Sequence, residues 1–283
     1  MHFRLEQTRR LTRGPVGTAI EVRFVNPGSD RVQTSTFRAE DDGGQDFSLL
    51  DFAVRPDFSD KVDWEILPGK IGYIRLRLLA QVADMSLYPS AIRAELDKAM
   101  QAFLDAQALG VILDLRGNYG GADQLAVDIC GYFYSLDTFY EYVDCYDKRD
   151  GSYQRMMEYT IKPHGPHFSG PLAVLANPGS LSSAEGPSSF LSRLPQARLV
   201  GFHGSNGSFG LVGTDIQLPG GYLIHYPFGR SVDASGTIQL DSRNGVGGLA
   251  PTLRVPKTQQ NVLDYAAGVD VEKAYAIGFL QGK

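Results

Sequence analysis

The stretch LAVLANPGSLSSAEGPSSFL, residues 172–191, contains a strand, a turn and a helix in twenty residues. Its first five residues are an unbroken apolar run, the pattern of a strand buried on both faces. Asn177-Pro178-Gly179 breaks the run, three serines follow at 180, 182 and 183, and Glu185 opens a second apolar stretch. One serine suffices to cap a helix, and Ser182 with Glu185 has the spacing of a capping box. Three on one turn raise the question of chemistry.

Outward from this stretch the same alternation recurs. KIGYIRLRL from Lys70 is a strand. PSAIRAELDKAMQAFLDAQAL is a helix with Ile92, Leu96, Met100, Phe103 and Leu104 on one face and Ser90 near its start. GVILDLR is a continuously apolar strand ending at Asp114, and GNYGGAD turns it into the helix DQLAVDICGYFYSL. ARLVG is a further strand running into FHGSNGSFG, TDIQLPGGYLIHYPF a hairpin, and DVEKAYAIGFL a closing helix capped by Asp270. Strands alternating with helices predict an α/β fold with a largely parallel sheet. Ahead of it, AIEVRFV and RVQTSTFR flank NPGSD as a hairpin too small to stand alone.

The 283 residues are enough for one large α/β domain with an appendage. A net charge of -5 disfavours nucleic acid and anionic lipid as partners. No apolar run approaches the roughly 20 residues of a membrane helix, and MHFRLEQTRR lacks the apolar core of a signal peptide. Cys130 and Cys145 lack metal-ligand spacing, so neither a metal nor another cofactor is expected.

Three junctions, DLRGNYGG, NPGSLSSAE and VGFHGSNGSFG, follow the C-terminal ends of strands read as parallel, and such ends line the ligand edge of an open sheet. Gly117, Gly120 and Gly121 let backbone N–H groups approach a ligand ahead of a helix N-terminus, which suits an oxyanion. Phosphate binding is disfavoured, because neither glycine-rich phosphate motif is present.

The ordered segments GYIRL, GVILDLRGNYGG, GPLAVLANPGSLSSAE, ARLVGFHGSNGSFG and GVGGLAPTLRV resemble the tail-specific, C-terminal-processing serine peptidases, peptidase family S41, to which tricorn-like proteases and retinoid-binding relatives belong. The resemblance covers about residues 70–256. It implies a ClpP/crotonase-like β-α superhelix over residues 70–283, joined by a linker at 43–69 to a β segment at 1–42 that resembles the last strands of a PDZ domain. Carried over by position, it makes Ser182 the nucleophile, with oxyanion donors from Ser183 or Leu181 and from Gly120 or Gly121. Where processing peptidases carry a Lys base, this chain has Ser208.

A serine hydroxyl needs a base to attack near neutral pH. His164 and His167 precede the strand 171–177 and fall ~20 Å from its far end. His203, two residues past ARLVG, lies on the same edge as Ser182 and is the expected base, with His225 the alternative. Asp241 is the expected supporting acid, near Asn244, with Glu185 as the other group able to orient the base; the position that is Asp in the family's last motif is Thr252 here. The expected activity is serine hydrolysis through an acyl-enzyme, on peptides or small acyl substrates. The alternatives are an esterase-like hydrolase and a non-catalytic ligand- or peptide-binding protein. The unpaired edge of the hairpin invites a homo-oligomer, and the resemblance implies a periplasmic or extracytoplasmic setting.

Overall fold

A computed structural model describes residues 14–26, 29–40, 60–81, 87–240 and 248–282. Its strands are β1 (Ala19–Val25), β2 (Val32–Arg38), β3 (Val62–Leu67), β4 (Ile71–Leu76), β5 (Gly110–Asp114), β6 (Thr138–Asp147), β7 (Ser152–Ile161), β8 (Leu172–Leu175), β9 (Ala197–Gly201), β10 (Gly213–Gln217), β11 (Leu223–Pro227), β12 (Gly229–Val232) and β13 (Leu253–Arg254). The helices are α1 (Ser90–Asp105), α2 (Asp123–Gly131), α3 (Glu185–Leu191), α4 (Gln259–Ala266) and α5 (Val271–Leu280). A single 3-10 turn, Ser182–Ala184, precedes α3.

The main sheet has strand order β13-β9-β8-β5-β4-β3. The pairs β4–β5, β5–β8, β8–β9 and β9–β13 are parallel, and β3 closes one edge antiparallel to β4. Both faces are covered, so β5 and β8 are buried at every position, and their apolar residues run consecutively rather than at alternate positions. Val111, Leu113, Leu172 and Val174 face α1, α2 and α3, whereas Ile112, Ala173 and Leu175 face α5. Gly72 on β4 admits the Phe103 ring of α1: a Cβ there would meet the ring at 2.5 Å. Leu104, expected on the same helix face, stands 36% exposed, and Ala99 takes its place in the core.

Two features depart from the sequence expectation. β3 lies in the stretch assigned as linker, because VDWEIL pairs with the whole of β4. The long antiparallel strands β6 and β7 were not expected at all; with β12 they form a second sheet of order β12-β6-β7, bulged at Tyr140. Most of β7 is exposed, which leaves its sequence without a clean apolar alternation.

The β1–β2 and β10–β11 hairpins form separate two-stranded sheets. On the first, Phe24, Val25, Val32 and Phe37 are exposed. No helix of the described residues is long and apolar enough to cross a membrane.

Candidate active site

Because β5, β8 and β9 are neighbours and parallel, their C-terminal loops meet on one edge. Asn177 stitches the first two: its Oδ1 accepts from Gly117 N at 3.0 Å and Gly179 N at 2.9 Å. Ser180 Oγ donates to Leu115 O at 2.8 Å, and Leu181 N donates to Asn118 O at 2.9 Å. The third loop joins through Asn206 N, which donates to Ser180 O at 3.1 Å. Of the three serines, Ser180 is therefore structural.

Below the loops sits a buried charge cluster that motif reading did not anticipate. Arg116, 1% exposed, forks onto Asp114 at 2.9 and 2.6 Å and reaches Asp270 and Glu272 at 2.7 and 3.1 Å. Glu272 also accepts from Phe202 N at 2.7 Å. One guanidinium thus ties the β5 loop to α5 and, through Glu272, to the β9 loop. Its bidentate geometry suits Arg and not Lys. The signal in the sequence was an acid and an Arg two residues apart at the end of an apolar run.

Ser182 occupies the turn itself, half-buried, with φ +51°. A non-glycine residue in that region costs about 1–2 kcal/mol, a strain that tends to mark functional positions. Its N–H donates to Ser208 Oγ at 3.2 Å, and its hydroxyl makes no hydrogen bond among the described residues. The capping-box reading fails here. Helix α3 has no side-chain cap, and Glu185 turns away to the third loop, accepting from Ser205 Oγ, Gly207 N and Ser208 N, each at 2.6 Å, and from Ser208 Oγ at 3.2 Å. Burial pushes the Glu185 carboxyl above its ordinary range, and these four donors oppose that shift.

The glycine loop lies against Ser182. A Cβ on Gly120 (φ +85°) would stand 2.8 Å from Ser182 Cβ and 2.9 Å from both Leu181 O and Ser183 N, so only glycine permits the approach. Four N–H groups were candidate oxyanion donors, and hydrogen bonding separates them. Leu181 N is taken by Asn118 O and Gly120 N by Asn118 Oδ1 at 2.8 Å. Gly121 and Ser183 make no bond through their N–H among the described residues. Two donors and the Ser182 hydroxyl are thus unspent among the described residues.

His203 has no such place. It is 4% exposed, its Nδ1 lacks a partner, and no hydrogen bond joins it to Ser182 among the described residues. Burial, followed by the charges of Lys257 and Arg254, lowers its pKa to about 4. Arg254 lies on β13, at the sheet edge beyond β9, whereas Ser182 follows β8 on the side of β5. The β9 loop meets Ser182 through Ser208 instead. His225 pairs with Asp215 across the β10–β11 hairpin, and Asp241 and Asn244 lie outside the described residues. No cluster of three or more His, Cys, Asp or Glu that could hold a metal occurs among the described residues.

A serine-bearing turn between a buried parallel strand and a helix, facing a glycine loop, is the kind of frame on which α/β serine hydrolases carry a nucleophile. Residues 70–255 match peptidase family S41, and the chain belongs to that family. Among solved structures it is similar to a candidate peptidase from Parabacteroides merdae (TM-score 0.58, 20% identity, 81% of this chain and 67% of that one). It is also similar to mature CPAF complexed with lactacystin (0.58, 14%, 96% and 70%) and to a candidate S41 protease from Bacteroides fragilis (0.57, 17%, 94% and 68%). At these identities the likeness shows the fold, the ClpP/crotonase-like fold of the family, and the chain spans about two thirds of their length. No curated protein matches the sequence.

Proposed function

We propose that this chain is a serine peptidase that cleaves through an acyl-enzyme on Ser182, acting near peptide C-termini or on small acyl groups. The observation that carries this reading is a positive-φ serine, on a turn packed against Gly120, whose hydroxyl makes no hydrogen bond among the described residues and whose neighbours Gly121 and Ser183 have N–H groups equally unspent there. A substrate carbonyl seated there would be attacked by Ser182 Oγ, and its oxygen would gain both donors as it becomes an oxyanion. Because these donors are backbone groups pinned by neighbouring bonds, they need no reorganisation as charge develops.

The proton of Ser182 needs an acceptor. Ser208 Oγ contacts the Ser182 backbone and donates to Glu185, so the route we favour passes the Ser182 proton to Ser208 Oγ while the Ser208 proton moves to Glu185 Oε2. The alternative is a binding protein that keeps the pocket without turnover. Its support is that no titratable side chain among the described residues hydrogen-bonds Ser182.

Ester and peptide hydrolysis by the parent, Ser182→Ala, Ser208→Ala and His203→Ala tests the reading. Loss in Ser182→Ala and Ser208→Ala with retention in His203→Ala is expected. Loss in His203→Ala alongside Ser182→Ala would return the base to the imidazole, and inactivity of the parent on every substrate would favour the binding protein.

A further inference from the structure

Behind the Gly121 side of the site lie two acids with no part in this chemistry. Asp123, the first residue of α2, has Oδ1 2.5 Å from Ser183 Oγ, and the same hydroxyl lies 2.8 Å from the Gly121 carbonyl oxygen. Glu141, on β6, is fully buried, and neither of its carboxyl oxygens has a hydrogen-bond partner.

A serine hydroxyl carries one proton. If that proton goes to Asp123, the Gly121 carbonyl is left without its donor. If it goes to Gly121, the Asp123 oxygen only 2.5 Å away must bring a hydrogen of its own. The second arrangement satisfies every group in the chain of contacts, and it requires Asp123 in its acid form.

The surroundings favour that form. The groups facing the pair are Tyr140 beside Glu141 on β6, Tyr159 on β7 and Ser231 on β12, while Ser183 bonds Asp123 directly. Cys130 on α2 and Arg193 beyond α3 act on the Tyr140 hydroxyl, and no cation among the described residues offsets a charge on either acid. Burial pushes Asp123 upward against its Ser183 bond; burial, and the charge of Asp123 once it ionises, push Glu141 up to about 8 against a smaller opposing contribution from Ser231.

We propose that Asp123 is a positioning residue: as an acid it donates to Ser183, which donates to the Gly121 carbonyl, while burial beside Glu141, an acid that stays neutral there, disfavours the ionised state. Leu79 already holds the loop on either side, through its N–H to Gly120 O and its carbonyl from Ala122 N, both at 2.8 Å. The Ser183 bond fixes the carbonyl between them, and it is the one fastening that titrates. As Asp123 ionises, Ser183 turns its proton to the carboxylate and the Gly121 carbonyl is released. The consequence for catalysis rests on the reading of Gly121 N–H as an oxyanion donor, whereas the fastening itself does not.

Hydrogen exchange of residues 118–124, corrected for intrinsic rates and followed from pH 5 to 9 in the full chain, tests the fastening without any substrate. The parent should lose about three- to tenfold protection as pH rises, the worth of one hydrogen bond. Asp123→Asn, whose amide N–H can donate to Ser183, should stay protected throughout; Asp123→Ala should be unprotected throughout. Should Asp123→Ala not fold, thermal melts of Glu141→Gln decide the second half. Folded Glu141 keeps a proton that the unfolded chain releases between its ordinary pKa and about 8, so the parent should lose stability relative to Glu141→Gln across that window. Parent protection that ignores pH, equal protection in Asp123→Ala and Asp123→Asn, or a stability gap that does not widen with pH would overturn the proposal. Fluorophosphonate labelling of Ser182, slowed in Asp123→Ala and rescued in Asp123→Asn, would link the fastening to the site. A parent that never labels would sink the nucleophile reading and leave the exchange result standing.

Discussion

The two sides of Ser182 are built in different ways. On one, the Gly120–Gly121 loop presses against the serine turn, and the candidate oxyanion donors are backbone N–H groups next to the bonded N–H groups of Gly120 and Leu181. On the other, a hydroxyl and a fully hydrogen-bonded carboxylate stand where the chemistry calls for a base, and the one imidazole of that loop is buried against Arg254 and Lys257. The difference teaches which part of a site a fold supplies. Parallel strand ends, a left-handed serine and two positive-φ glycines bring backbone donors to a serine through topology, whereas a base is a single side chain that must be placed by its neighbours.

The sharpest way to break this comparison is to remove the nucleophile. Ser182→Ala should reduce hydrolysis by several orders of magnitude, since members of a concerted set are not additive, and a double variant with Ser208→Ala should be scarcely worse. Steady-state rates for the three proteins check this. A clearly additive double variant would mean that Ser208 acts independently of Ser182.

Next in size is the backbone side. Gly120→Ala places a Cβ 2.8 Å from that of Ser182 in a left-handed residue, and roughly 2–4 kcal/mol of stability should be lost, together with labelling of Ser182. Denaturant melts measure the first loss and a fluorophosphonate time course the second. A variant of unchanged stability would show that the loop can retreat from the serine.

Glu185→Gln probes the other side. The amide presents an NH2 group toward donors that the carboxylate accepted, so roughly 1.5–3 kcal/mol should be lost and the 205–208 loop should become more exchange-labile. If Glu185 only capped its own helix, that loop would not respond.

The smallest effect belongs to His203. Its folded pKa of about 4 lies below the unfolded value near 6.5, so the unfolded chain takes up a proton first as pH falls between them, and stability should decline across that window. His203→Ala should flatten this decline in thermal melts from pH 7 to 4. It should leave the pH dependence of labelling between 5 and 9 unchanged.

The parallel sheet and the meeting of three loops could be read from the sequence because buried strands announce themselves as unbroken apolar runs, and strand order then fixes which ends adjoin. Ser182 was legible for the same reason, through its place on the turn. The β6–β7 sheet was not, since most of β7 is exposed, and charge and aromatic residues blur its period. The capping-box reading of Glu185 fails because Ser-x-x-Glu has the same spacing whether the acid reaches back to its own helix or across to another loop; only the tertiary contact with Gly207 and Ser208 distinguishes them. The sequence distance from ARLVG placed His203 on the correct loop, yet two residues of chain do not determine which neighbour a ring faces.

The most direct test of the central claim is intact-mass and peptide mapping after treatment with a fluorophosphonate at neutral pH. The account predicts one adduct per chain, carried by the peptide containing Ser182 and absent from Ser182→Ala. An unlabelled parent, or an adduct on Ser180, Ser183 or Ser208 with Ser182 free, would contradict it.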